Sequence, residues 1–142
     1  MSNIAIVFWS GTGNTEAMAD AVKAGAQEAG AEVSVFNASD FSADMVADFD
    51  AIAFGCPAMG DEVLEEDEFQ PMFDAVLPAL NGKKVALFGS YGWGDGQWMR
   101  DWADKTAKTG ANLYDEGLIV NGFPEGEAKV QCTAFGEGFG AY

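Results

Sequence analysis

Short apolar runs alternate with stretches of helical periodicity along this chain. Ile4 to Trp9 is continuously apolar, as in a strand buried on both faces. From Thr15 to Ala29 the spacing of Met18, Val22, Gly25 and Ala29 predicts a helix, with Gly30 placed just past its end. Glu32 to Phe36 reads as a second strand. Ser42 is positioned to cap a short helix through Asp48, and Ala51 to Gly55 is a third strand. Pro71 suits a first helical turn, with Phe73, Val76 and Leu77 following at helical spacing, and Pro78 should stop or kink that helix.

Lys84 to Gly89 is a fourth strand, entered from Asn81-Gly82. Trp98, Trp102 and Thr106 mark another helix ending at Gly110, and the spacing of the two tryptophans predicts core packing. Leu118 to Val120 belongs to a fifth strand, with Asp115-Glu116-Gly117 before it as a candidate bulge. A last helix starts near Glu125. Gly136, Gly138 and Gly140 should weaken its end and let it fray.

Strands separated by helices predict an α/β fold: one parallel sheet in a doubly wound, three-layer α/β/α arrangement with right-handed crossovers. The 142 residues fit a single domain, 1–142. In such sheets a ligand sits beyond the carboxyl ends of the strands, where strand order reverses. Three loops therefore carry the functional question: those after Trp9, after Gly55 and after Gly89.

The first loop is Ser10-Gly11-Thr12-Gly13-Asn14-Thr15. Its two glycines let the backbone turn sharply beside a helix N-terminus, where backbone N–H groups favour an anion. Ser10, Thr12 and Thr15 add hydroxyls and Asn14 adds an amide, with no Lys or Arg among them. The loop predicts phosphate held by hydrogen bonds and dipoles alone. A triphosphatase loop would need a Lys that is absent, and a dinucleotide fingerprint would need Gly or Ala where Glu16 stands.

The third loop, Ser90-Tyr91-Gly92-Trp93 and onward to Gly96, sets large aromatics between glycines. Exposed rings of this kind suit the face of a planar ligand. The second loop contains Cys56-Pro57-Ala58-Met59-Gly60-Asp61-Glu62. Met59 offers a polarizable contact to the other face of such a ring, and Gly60 a peptide that reorients at low steric cost. The acidic run continues through Glu65, Glu66, Asp67 and Glu68, which mostly reads as a solvated loop. Cys56, at a strand end, reads as a small buried hydrophobe rather than a nucleophile.

Charge and composition narrow the chemistry. The chain carries 23 Asp+Glu against 7 Lys+Arg, a formal net charge of −16, which disfavours nucleic acid and anionic membrane surfaces. Acidity of this kind either keeps the protein soluble or attracts basic patches on other proteins, and charge alone does not separate the two. The absence of histidine removes the commonest general base and transition-metal ligand, so any chemistry is expected to come from a bound cofactor and no metal site is expected. The two cysteines form no C-x-x-C and are expected to be free. No apolar run is long enough to span a membrane, and the start does not read as a signal peptide, so a cytoplasmic location is expected.

The segments SGTGNT, PAMGDE and GSYGWGDG, in this order and spacing, resemble the phosphate loop and the two ring-clasping loops of bacterial flavodoxins, specifically the short-chain type from anaerobes. The resemblance covers essentially the whole chain. It implies a five-stranded sheet of order 2-1-3-4-5 and one non-covalently held FMN. It further implies a low-potential one-electron carrier, not an enzyme, that replaces ferredoxin between redox enzymes.

On this likeness residues 10 to 15 hold the phosphate, Ala58, Met59, Gly60, Asp61 and Glu62 face the N5 edge of the ring, and Ser90, Tyr91, Gly92 and Trp93 border the other side with Trp93 stacked outermost. Partners would be redox proteins with basic docking patches: pyruvate oxidoreductase, hydrogenase, nitrogenase or a ferredoxin/flavodoxin reductase. A monomer is expected.

Two other functions are compatible with such a fold. A flavin-dependent quinone or nitro reductase would need substrate loops for which the chain is short. A receiver-like signalling domain would need acidic residues where the first strand ends in Trp9-Ser10.

Gly60, Asp61 and Glu62 are the expected redox-tuning residues. When one-electron reduction turns N5 into a hydrogen-bond donor, rotation of the Gly60–Asp61 peptide would present the Gly60 carbonyl to it. A Cβ at position 60 adds about 1–2 kcal/mol of strain, and about 1.4 kcal/mol corresponds to about 59 mV per electron. Gly60→Ala is thus expected to lower the first one-electron potential by some tens of millivolts in a redox titration. An unchanged potential would remove the switch.

Overall fold

In a computed structural model of the chain, residues 2–59, 63–92 and 94–142 are described. Strand β1 (Asn3–Phe8) leads into helix α1 (Asn14–Glu28) and then β2 (Glu32–Asn37). Short 3-10 turns over Ala38–Asp40 and Ala43–Asp48 precede β3 (Ala51–Gly55). Helix α2 (Phe69–Val76) tightens into a 3-10 turn at Leu77–Ala79, where Pro78 ends the α-helical ladder as expected. Then come β4 (Lys84–Tyr91), α3 (Gln97–Lys108), β5 (Asn112–Leu113), β6 (Leu118–Asn121) and α4 (Glu127–Gly140).

All strand pairs in the sheet are parallel, in the order β2-β1-β3-β4-β5, with β6 also pairing to β4. The predicted order 2-1-3-4-5 therefore holds, with the fifth position shared by two short strands along β4. Residues 114–117 separate them, and there Asp115 (φ 56°) and Gly117 (φ 102°) turn through left-handed conformations. The anticipated bulge is thus a full interruption of the strand. The first strand also ends at Phe8, one residue before Trp9.

Strict alternation along the central strands divides the interior in two. Ala5, Val7, Ile52, Phe54, Val85 and Leu87 face Phe69, Phe73, Trp98 and Trp102 from α2 and α3. Ile4, Ile6, Phe8, Ala51, Ala53 and Ala86 face Met18, Val22, Phe135 and Phe139 from α1 and α4. Every central strand is therefore buried on both faces, which is why its sequence reads as an unbroken apolar run. Trp98 and Trp102 lie in this core, as their spacing predicts.

Three local expectations fail. Ser42 makes no side-chain capping bond to the turn it precedes, which is a 3-10 segment. Ala29 is exposed at the end of α1, one position past the buried stripe. The tail glycines do not loosen α4, which runs on to Gly140. Instead Gly136, with Gly25 of α1, lets α1 and α4 touch backbone to backbone. A Cβ on Gly25 would overlap the Thr133 carbonyl oxygen, and a Cβ on Gly136 would overlap that of Val22. Close packing recovers what the glycines give up in helix propensity. Among the described residues no helix is long and apolar enough to cross a membrane.

Candidate functional site

The carboxyl ends of β1, β3 and β4 meet at a cleft of about 290 Å³. The first wall is the β1–α1 loop. Trp9 N–H donates to the Gly55 carbonyl (3.0 Å), tying the loop's start to β3. Gly13 sits at φ 94°, a left-handed conformation that explains why glycine stands there, and its carbonyl accepts the Ala17 N–H (3.0 Å) to begin α1. Ser10 Oγ accepts the Gly13 N–H (3.1 Å) and closes the turn from inside.

The backbone N–H groups of Gly11, Thr12, Asn14 and Thr15 find no acceptor among the described residues. They are the free donors of a helix N-terminus, and Gly11, Thr12 and Asn14 line the cleft. Thr15 is buried instead, with Oγ1 3.2 Å from Ser90 Oγ, so one hydroxyl pair joins the first loop to the end of β4.

The second wall is Pro57, Ala58 and Met59. Ala58 N–H donates to the Ser90 carbonyl (3.0 Å), and Met59 and Val63 exchange two backbone hydrogen bonds (2.9 and 3.1 Å). The third wall is Ser90, Tyr91 and Gly92. Tyr91 leans on Trp98 (ring centroids 5.7 Å apart), and Gly92 leaves open space where a side chain would stand. Gly89, just below, presses on Cys56: a Cβ there would overlap the Cys56 carbonyl oxygen. Burial pushes the Cys56 thiol up to about 12, so it is the inert packing residue that the sequence implies.

One end of the cleft thus offers unpaired N–H donors beside a helix start, and the other offers flat apolar walls. Among the described residues no cationic side chain lines it. This donor set fits a phosphorylated, planar aromatic molecule and matches the first-loop reading.

The comparisons with known proteins agree. The Flavodoxin family profile matches residues 6–136. The flavodoxin of Clostridium beijerinckii is 48% identical over 132 residues, covering 93% of this chain and 95% of its own. That of Megasphaera elsdenii is 48% identical over 134 residues, covering 94% and 96%. The chain belongs to the flavodoxin family. The solution structure of two-electron reduced Megasphaera elsdenii flavodoxin superposes with a TM-score of 0.89 at 46% identity, covering 98% of this chain and 99% of that one. As a flavodoxin the protein is an FMN-binding electron carrier for redox partners, not an enzyme.

Of the residues expected at the site, Gly11, Thr12, Asn14, Ala58, Met59, Ser90, Tyr91 and Gly92 line this flavodoxin's cleft. Ser10, Gly13 and Thr15 shape it from behind. Gly60, Asp61, Glu62 and Trp93 lie outside the described residues. Three lining residues had no assigned contact in the sequence reading: Trp9, Pro57 and Gly122. Gly122 follows β6, whose pairing with β4 brings it beside Tyr91, and nothing in its own segment signals that. Its N–H reaches the Tyr91 carbonyl (2.9 Å).

Glu65 corrects the reading of the acidic run as a solvated loop. It is only 5% exposed, while Glu66, Asp67 and Glu68 are exposed. Burial penalises its charge, yet backbone N–H groups of Phe69, Glu68 and Asp67 outweigh that and hold the carboxyl below its usual range.

Proposed function

We propose that residues 1–142 act as one domain that carries low-potential single electrons between redox enzymes in place of ferredoxin. FMN would sit with its phosphate in residues 10–15 and its ring between residues 58–62 and 90–93. The observation that carries this reading is the set of backbone N–H groups on Gly11, Thr12 and Asn14, which find no acceptor among the described residues and line a cleft whose other walls are mostly apolar.

Each group has a task. Gly11, Thr12 and Asn14 turn donors toward the phosphate. Ser10 and Gly13 fix the turn, and the Thr15–Ser90 pair locks it against the ring side. Met59 and Trp93 cover the two faces of the ring, with Tyr91 buttressed by Trp98. Gly60, Asp61 and Glu62 adjust the hydrogen bonding at the ring edge. FMN supplies the reversible one-electron chemistry. The chain contributes binding, orientation and a negative field, since a net charge of −16 disfavours adding negative charge at the ring and lowers the potential.

The same charge supports docking to partners with basic patches, in the class of pyruvate oxidoreductase, hydrogenase, nitrogenase or ferredoxin/flavodoxin reductase. A cytoplasmic monomer completes the reading, and two free, buried thiols suit a reducing compartment.

The test is a visible spectrum of the purified full chain followed by stepwise reduction. Bound flavin absorbance and two separable one-electron steps are expected. A colourless protein whose stripped form does not take up FMN at about micromolar concentration would overturn the reading.

A further inference from the structure

We propose that Glu65 is a positioning residue for the redox site: its buried carboxylate pins the outgoing leg of the second loop to the start of α2 and thereby sets how residues 59–62 meet the cofactor. The inference rests on the reading above, in which that loop borders the FMN ring.

Every polar group of Glu65 is committed. Oε1 accepts the N–H groups of Glu68 and Phe69, each at 2.8 Å, and Oε2 accepts that of Asp67 at 2.9 Å. Its own N–H donates to Cys56 Sγ (3.4 Å), and its carbonyl accepts the Gln70 N–H (2.9 Å). Cys56 stands at the end of β3, fixed by the Phe88 carbonyl through its N–H (3.1 Å) and by the Trp98 indole N–H on its own carbonyl (3.4 Å). The segment from 56 to 65 is therefore closed at its base on the rigid sheet edge.

Within that segment the paired bonds between Met59 and Val63 close a second, inner ring. Residues 60–62 fall between these two paired positions in the sequence.

Capping a helix does not require this arrangement. An exposed Ser, Asp or Asn at the N-cap satisfies one of the free donors, whereas Glu65 takes three N–H groups, two of them ahead of the helix. Here Glu68 occupies the N-cap without a side-chain bond, and a carboxylate three residues upstream does the work from a buried position. Among the described residues no Lys or Arg pairs with it. A buried charge held only by backbone dipoles is a demanding solution. What it adds over a surface cap is a rigid connection between α2 and the loop.

The experiment compares the FMN-loaded full chain with Glu65→Gln and with Glu66→Gln, an exposed neighbour carrying the same charge change. A glutamine side chain sets an NH2 group against at least one backbone N–H. The Met59 and Val63 amides are expected to exchange roughly ten- to hundredfold faster in Glu65→Gln and at the parental rate in Glu66→Gln. The first one-electron potential should move in Glu65→Gln and not in Glu66→Gln. Because salt screens a buried charge little, the cause is separated by Glu65→Asp, which keeps the charge and should move the potential as well. Equal potential shifts in the two variants, or full protection of both amides in Glu65→Gln, would overturn the proposal.

Should Glu65→Gln fail to fold, Glu65→Asp keeps the charge but shortens its reach. Parental protection of Met59 and Val63 in that variant would equally count against positioning. Loss of FMN binding by the parent chain would remove the underlying reading instead, so the two failures are distinguishable.

Discussion

Gly136→Ala is expected to destabilise the protein by about 2 kcal/mol, read as a lower urea midpoint at unchanged slope. Two effects oppose each other. Alanine in a helix interior gains about 1 kcal/mol over glycine. Against this, the new methyl would overlap the Val22 carbonyl oxygen, which belongs to the backbone of α1 and has no rotamer to change. Overpacking of this kind costs about 3 kcal/mol at the upper end of its usual range, because two whole helices must move apart. Gly25, whose Cβ would meet the Thr133 carbonyl oxygen, locks the same crossing from the other side.

Gly138→Ala is the internal control. It lies in the same helix with the same gain in propensity, but its methyl would meet only the hydroxyl end of Tyr114. A side-chain end yields more readily than a backbone carbonyl, even in a ring packed on Phe135, Phe139 and Tyr142, so the loss should be smaller. Equal stability of Gly136→Ala and the parent would mean that α1 and α4 do not approach through these glycines.

These glycines show where sequence reading stops. Helix propensity is local, and by that measure Gly136, Gly138 and Gly140 mark a weak end. For Gly136 the compensating contact comes from α1, more than a hundred positions away in sequence, and no periodicity within α4 announces it. Glu65 escaped for a related reason: one acid in a run of acids carries no local sign that its neighbours will fold their N–H groups around it.

The phosphate loop was legible because its chemistry is contained in six consecutive residues. A positive-φ glycine, hydroxyls and a helix start are all local features. The central strands were legible because burial on both faces writes itself as an unbroken apolar run. The walls contributed by Pro57 and Gly122 depend on which strand ends become neighbours, and only the sheet order supplies that.

The stripped chain is expected to bind FMN about a thousandfold or more tightly than riboflavin, and its association with FMN should become faster, not slower, as salt is added. The first part follows from the donors on Gly11, Thr12, Asn14 and Thr15. Hydrogen bonds to a charged group contribute about 1.5–3 kcal/mol each, so three of them at the low end, or two at mid-range, discriminate by about three powers of ten. Riboflavin lacks the phosphate and forfeits them all.

The second part follows from charge. Most phosphate sites draw the anion in with Lys or Arg, and salt weakens such binding. Here no cationic side chain among the described residues lines the cleft, and the chain as a whole carries −16. The long-range force on an approaching phosphate dianion is therefore repulsive, and a Debye length falling to about 10 Å near 0.1 M salt screens it. Neutral riboflavin should show no such acceleration. FMN uptake measured by stopped-flow fluorescence quenching across that salt range distinguishes the cases. Slower uptake at higher salt would mean that a cation reaches the phosphate, and the uncharged cradle would have to be abandoned.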